Sequence, residues 1–281
     1  MVVVLASNPA PIVYPKAPEA TVPVVLLHCS AASGRQWTRL GETLGNSFLT
    51  VAPDQWSCGE RGRWPGHEPF TLASEAVAVH EIIDRLGRPV HLVGHSYGGG
   101  LALHVARHRP DDLASLTLIE PSAFHLLRRG GADDATLLQE VAGIAVDIDQ
   151  ALSSGDHWGG MARFVDYWMG AGSWARMSDE SRARLCPCLA KVALDFRALF
   201  DEAAVLTDFA RLDMPTVIIR GALSPAPSCR IVERLARTIA GAHVEVISGA
   251  GHMSPLTHPG PVNRIIAAHL KGARRVSKQA A

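Results

Sequence analysis

The chain has 281 residues, 47% of them hydrophobic, and its 27 Lys+Arg balance 27 Asp+Glu to a formal net charge of zero. That suits one large α/β domain, or one domain with an insertion, around a substantial core. A zero balance offers no basic face for nucleic acid or an anionic membrane, and no apolar run reaches the ~20 residues of a membrane span.

The opening MVVVLASNPAP carries an apolar patch too short for a signal peptide and has no positive n-region, so it reads as a first edge strand. Short β-branched runs then recur: VPVVLLH (22–28), FLTVAP (48–53), PVHLVG (89–94), LASLTLIE (113–120), MPTVIIRG (214–221) and HVEVIS (243–248). Each is nearly continuous in apolar residues, the pattern of strands covered on both faces in a parallel sheet. Helices alternate with them. Leu72, Ala76, Val79, Ile83 and Leu86 form one apolar stripe, stopped by Gly87 and Pro89. Tyr97–Arg109 predicts a second helix and Pro261–Leu270 a last one, with the basic tail KGARRVSKQAA expected to fray. The alternation argues for a doubly wound α/β sheet.

Residues 122–210 break the rhythm: they read as helical throughout, and they hold more than half of the aromatic residues. The expected organisation is a core of 1–121 and 211–281 carrying a helical cap of 122–210. Most of the cap aromatics are expected to form its own core. Trp158, Phe164, Tyr167 and Trp168 are the candidates to line an apolar pocket facing the sheet.

Five cysteines, Cys29, Cys58, Cys186, Cys188 and Cys229, are an odd number without a disulfide framework. Cys186-Pro187-Cys188 alone is a weak metal signal, so reduced thiols in a cytoplasmic protein are expected.

The chemistry sits at Gly94-His95-Ser96-Tyr97-Gly98. This is G-x-S-x-G between an apolar strand and a helix, the context in which a serine rides a strained elbow. Gly94 and Gly98 let strand and helix pass closely, and the Tyr97 amide starts the helix, where unpaired N–H groups can face negative charge. A phosphate loop is disfavoured, for there is neither G-x-G-x-x-G spacing nor a Walker lysine. A serine needs a base, and His252, in the glycine-flanked loop SGAGHMSPLTHP after HVEVIS, is the candidate.

With LLHCSAASGRQW, VAPD, VGHSYGG and GAGHMSP in this order, the chain resembles α/β-hydrolase-fold enzymes over about residues 20–120 and 210–270. The resemblance implies a mostly parallel eight-stranded sheet under a helical cap, with a Ser–acid–His triad at the carboxyl ends of the strands. Six strands are legible here, which leaves the first two to residues 1–20 or to degenerate segments. In most relatives the acid is an Asp after the strand preceding the last. Here Ser224 stands at that place, in Arg220-Gly221-Ala222-Leu223-Ser224-Pro225. Asp208 and Asp213 precede that strand and belong at its far end. Glu120, closing the strand after the nucleophile helix, is the preferred acid, since a carboxylate ending an apolar strand needs a partner. Its position resembles that of the acid in haloalkane dehalogenases, although the nucleophile here is Ser and not Asp. On this reading Ser224→Ala should do little.

For the oxyanion hole the Tyr97 amide supplies one donor. The second falls to the loop after VPVVLLH, where relatives have His-Gly and this chain has His28-Cys29-Ser30. The Ser30 amide is the first choice, with Cys29 second, and the Ser30 hydroxyl is a possible third donor. Cys29 as a nucleophile lacks the elbow. His28 and Asp54 read as loop braces.

The expected activity is hydrolysis of a carboxylic ester, thioester or lactone of a medium-sized apolar or aromatic substrate, without metal or organic cofactor, by a monomer or homodimer. Two alternatives stand beside it. One is carbon–carbon bond hydrolysis of a ring-fission dienoate, whose carboxylate Arg35, Arg61, Arg63, Arg128 or Arg163 would have to hold. The other is a non-catalytic ligand-binding receptor on the same fold.

Overall fold

The structure, a computed structural model, describes residues 12–14 and 22–279, with side chains over 22–273. All six apolar runs form strands: β2 (Val24–Leu27), β3 (Thr50–Ala52), β4 (Val90–His95), β5 (Leu113–Ile119), β6 (Thr216–Gly221) and β7 (His243–Ile247). A short β1 (Ile12–Tyr14) precedes them. The sheet order is β1-β3-β2-β4-β5-β6-β7, and every pairing is parallel except β1 with β3. The described residues thus hold seven strands where the resemblance implies eight. The opening MVVVLASNPAP, read as an edge strand, lies outside the described residues.

The helices are α1 (Thr38–Leu44), α2 (Leu72–Leu86), α3 (Tyr97–His108), α4 (Ala132–Ser154), α5 (His157–Met169), α6 (Ser173–Arg176), α7 (Asp179–Leu185), α8 (Leu189–Asp201), α9 (Leu206–Phe209), α10 (Ala226–Thr238), α11 (Ser254–Thr257) and α12 (Pro259–Gln279). The sequence signals for α2 act as read. Thr71 caps its start by accepting from the Ser74 amide, and Gly87 ends it in the left-handed conformation at φ 62°. The tail expected to fray continues α12 to Gln279, because its Ala, Arg, Lys and Gln residues favour helix.

Side-chain alternation along the strands covers both faces. Val25, Leu27 and Leu92 join the layer of α2, α3 and α10, while Val24, Leu26, Val93 and Ile219 meet Leu40 and Leu44 of α1 and Val262, Ile266 and Leu270 of α12. β7 departs from this: Val244 and Val246 are 37% and 47% exposed, since an edge strand is covered only where a helix crosses it. Residues 122–210 carry α4 to α9 and contain no strand. Their apolar faces join the α3 side of the core through Met161, Val165, Trp168, Val192 and Phe196.

β3 follows β2 on one side of it and β4 lies on the other, so the chain reverses direction across the sheet between β2 and β4. In an open parallel sheet such a switch point leaves a crevice at the carboxyl ends of the strands. The loops holding Ser30 and Ser96 open there.

Candidate active site

β4 runs straight into α3, and Ser96 is the single residue between them, at φ 55° and ψ −116°. A non-glycine residue there is strained and persists only when its surroundings enforce it. Those surroundings are tight. A Cβ on Gly98 would stand 2.4 Å from the Leu27 carbonyl oxygen on β2, and one on Gly94 would stand 2.2 Å from the Gly98 carbonyl oxygen. The glycines therefore serve the approach of α3 to both β4 and its neighbour β2.

The loop after β7 carries His252 across the ends of the strands. Its Nε2 lies 2.8 Å from Ser96 Oγ and its Nδ1 2.8 Å from Glu120 Oε2. Glu120 directly follows β5, itself at a positive φ of 45°, and is fully buried. Burial pushes its carboxyl up, but the bonds from His252, the Gly221 amide and the Ser224 hydroxyl together hold it below the ordinary carboxylate range. An ionised Glu120 only accepts, so Nδ1 carries the imidazole proton and Nε2 faces the serine as an acceptor.

Ser224 is no bystander. It donates to Glu120 Oε1, which also takes the Gly221 amide at 2.7 Å. Its hydroxyl thus solvates the buried Glu120 carboxylate from the end of the neighbouring strand, a contact the sequence left unmarked. Asp208 accepts from the Val205 amide at 2.9 Å, and Asp213 is exposed; neither reaches the site.

The two candidate oxyanion amides on the β2 loop separate by their partners. Cys29 N–H donates to Gln36 Oε1 at 3.0 Å, so it is already spent and the second choice falls away. Gln36, unmarked in the sequence, is central: its Nε2 donates to His95 Nδ1 at 3.1 Å, and His95 Nε2 donates to the His252 carbonyl at 2.9 Å. Burial pushes His95 down to about 3, so it stays neutral, as this relay requires. Ser122 Oγ, 3.2 Å from Ser96 Oγ, is a second polar neighbour the sequence left unmarked. His28 and Asp54 brace as read. His28 donates to the Cys29 carbonyl and accepts the Gln55 amide, while Asp54 takes the Gly34 and Glu60 amides.

A cavity of about 240 Å³ opens over Ser96 and His252. Phe164 and Trp168 line it as expected, together with Met161, Val165, Met169, Met177, Leu185, Met253 and Leu256. Trp158 and Tyr167 do not. Trp158 is 46% exposed and packs edge-on against Trp174, and the Tyr167 hydroxyl donates to Glu140. The reason is helical phase: Met161, Phe164, Val165 and Trp168 share one stripe of α5, Tyr167 points off it, and Trp158 lies a turn beyond the cavity.

The alpha/beta hydrolase fold model matches residues 22–259. The chain belongs to that family. Members similar to it include lipase LipV of Mycobacterium tuberculosis, 33% identical over 141 residues, about half of either chain (50% and 47%). Monoacylglycerol lipase abhd6-A of Xenopus laevis is 25% identical over 262 residues, 84% of this chain and 71% of the relative. Among solved structures, MGS-M2, an alpha/beta hydrolase enzyme from a Medee basin deep-sea metagenome library, superposes with a TM-score of 0.79 at 15% identity, covering 93% of each chain. The protein is thus a hydrolase of the alpha/beta fold with lipases among its relatives. Among the described residues no helix is long and apolar enough to cross a membrane.

Proposed function

We propose that this alpha/beta hydrolase cleaves neutral carboxylic esters with a compact apolar acyl group, through an acyl-enzyme on Ser96. The observation that carries the reading is the hydrogen-bonded line from Ser96 Oγ through both nitrogens of His252 to Glu120, at 2.8 Å and 2.8 Å. His252 takes the Ser96 proton as Oγ attacks the ester carbonyl, and the Tyr97 and Ser30 amides receive the oxyanion. Collapse of the tetrahedral intermediate breaks the bond to the alkoxy oxygen, which leaves as the alcohol with the proton from His252. Water, deprotonated by the same imidazole, then splits the acyl-enzyme to the acid and restores the serine.

The cavity wall supports the substrate class. Beyond Ser30, Ser96 and His252 it is made of Met, Phe, Trp, Val, Leu, Ala and Cys29 side chains, with no Lys or Arg. None of Arg35, Arg61, Arg63, Arg128 and Arg163 lines it, which speaks against an anionic dienoate. Its volume of about 240 Å³ falls below the ~300–1,000 Å³ that drug-sized ligands occupy, and the four thioethers yield to flexible chains. The names of the relatives, lipase and monoacylglycerol lipase, agree with an ester bond.

The test is a fluorophosphonate label followed by a panel of p-nitrophenyl esters graded in acyl length, with a ring-fission dienoate alongside. Labelling at Ser96, lost in Ser96→Ala, with turnover of apolar acyl esters and none of the dienoate, is expected. Failure of wild type to label or turn over any ester would remove the proposal.

A further inference from the structure

A relay of hydrogen bonds runs beside the triad and joins the three segments that carry Ser30, Ser96 and His252. The Cys29 amide donates to Gln36 Oε1 at 3.0 Å, Gln36 Nε2 donates to His95 Nδ1 at 3.1 Å, and His95 Nε2 donates to the His252 carbonyl at 2.9 Å. Its direction is forced from both ends. The Cys29 amide only donates and the His252 carbonyl only accepts. The Gln36 carboxamide therefore turns its oxygen to Cys29 and its nitrogen to His95, and the fully buried His95 carries its proton on Nε2. A carboxamide and a neutral imidazole together complete both inner links.

The places where the relay attaches go beyond satisfying buried polar groups. Cys29 precedes Ser30, whose amide the acyl-transfer reading gives to the oxyanion. His95 precedes Ser96, and the relay ends on the backbone of His252 itself. The imidazoles of His95 and His252 lie 5.4 Å apart between centroids. No strand pairing holds the loop after β2 to the loop after β7, because β4, β5 and β6 stand between those strands. Gln36 is half-buried in the 3₁₀ turn Gly34–Trp37 and does not line the cavity over Ser96. It therefore acts through the backbones that the relay joins, and not on a substrate.

We propose that Gln36 and His95 are positioning residues that fix the spacing between the Ser30 amide and the His252 imidazole on either side of Ser96. The proposal rests on the acyl-transfer reading of the site. An amide displaced by a fraction of an ångström binds the ester ground state almost as before but the developing oxyanion less well, and a displaced imidazole takes the Ser96 proton less readily. Both effects belong in kcat and not in KM. The carboxamide also keeps the relay indifferent to pH. In Gln36→Glu a carboxylate meets the lone pair of His95 Nδ1, and both links survive only while one extra proton lies between them. When that proton leaves, either the new contact breaks, or His95 moves its proton to Nδ1 and releases the His252 carbonyl. The titratable and charged groups nearby are His28, Glu120 and His252 about His95, and Arg35, Arg39 and Glu42 in the surface cavity that Gln36 lines. Wild type and variant share them all, so a pH limb shown by the variant alone belongs to the new carboxylate and His95.

The experiment compares wild type with Gln36→Met and Gln36→Glu on p-nitrophenyl butyrate across about pH 5–9, with active sites titrated by fluorophosphonate. Affinity for a trifluoromethyl ketone, whose adduct with Ser96 carries the oxyanion, is measured in parallel. Gln36→Met keeps the length of the side chain and removes both bonds. It is expected to lose about 10-fold or more in kcat per titrated site at every pH, with KM within about twofold and ketone affinity reduced by a similar factor. Gln36→Glu is expected to stay near wild type at the acid end and to fall toward Gln36→Met as pH rises, an alkaline limb that wild type lacks. If one variant fails to fold, the other decides. The proposal is overturned if Gln36→Met keeps kcat per titrated site and ketone affinity within about twofold of wild type, even where its melting temperature falls. It is also overturned if the ratio of Gln36→Glu to wild-type kcat is the same at every pH. Wild type that neither labels nor hydrolyses would bring down the acyl-transfer reading itself, a result distinguishable from both.

Discussion

The indole of Trp168 stacks on the imidazole of His252, ring centroids 4.1 Å apart and planes tilted by 32°. The contact joins α5, inserted between β5 and β6, to the loop after β7. In the proposed mechanism His252 becomes a cation at each tetrahedral intermediate, and an aromatic face favours a cation by about 0.5–2 kcal/mol. Trp168→Leu should therefore lower kcat about 2-fold to 30-fold beyond any change in KM, and Trp168→Phe should lose less. Steady-state kinetics on one p-nitrophenyl ester across the three proteins checks this; equal losses in Leu and Phe variants would remove the cation argument.

Glu120 and Ser224 make a second test. Glu120→Gln keeps the shape and removes the charge, and should cut kcat by roughly 10³–10⁴. Ser224→Asp in a Glu120→Ala background would return a carboxylate to the space now shared by the Ser224 hydroxyl and Glu120 Oε1. That double variant should recover about 10-fold or more over Glu120→Ala alone. In the wild-type background the same Ser224→Asp change sets two carboxylates together and should lower activity. Ser224→Ala alone, which deprives a buried carboxylate of a donor, should cost about 1.5–3 kcal/mol in melting experiments.

Acid should destabilise the protein through its buried neutral histidines. Burial pushes His28, His125 and His269 down to about 4 and His95 to about 3. Between pH 6.5 and about 4 the unfolded chain binds protons at these sites that the folded chain refuses, so stability is fully present above 6.5 and declines as pH falls. His125, which lines no part of the cavity over Ser96 and bonds the Leu199 carbonyl, isolates one of them. In His125→Asn the slope of unfolding free energy against pH in that window should be smaller by about 1.4 kcal/mol per pH unit. Urea melts at several pH values measure it; an unchanged slope would mean that His125 titrates normally.

Much of this molecule is written in short-range pattern. The six apolar runs specify strands because both faces of a parallel sheet must be covered. Thr71 and Gly87 bound α2 through local capping chemistry, and the glycines around Ser96 mark a place where backbones meet too closely for a Cβ. Chain order was enough to single out Ser96, His252 and Glu120 as candidates, because each closes or follows a strand at the same end of the sheet. What chain order could not carry was contact between distant segments. Gln36 reaches His95, Ser224 turns to Glu120, and Lys191 of α8 pairs with Glu75 of α2, each across tens of residues of intervening chain. The aromatics of α5 show the same divide: composition marked four of them, but the rotation of one helix about its axis decided that Phe164 and Trp168 face the cavity while Tyr167 and Trp158 do not. Hydrophobic periodicity acts within a few residues and can be read there, whereas a hydrogen bond or an ion pair is decided only once folding has chosen its neighbours.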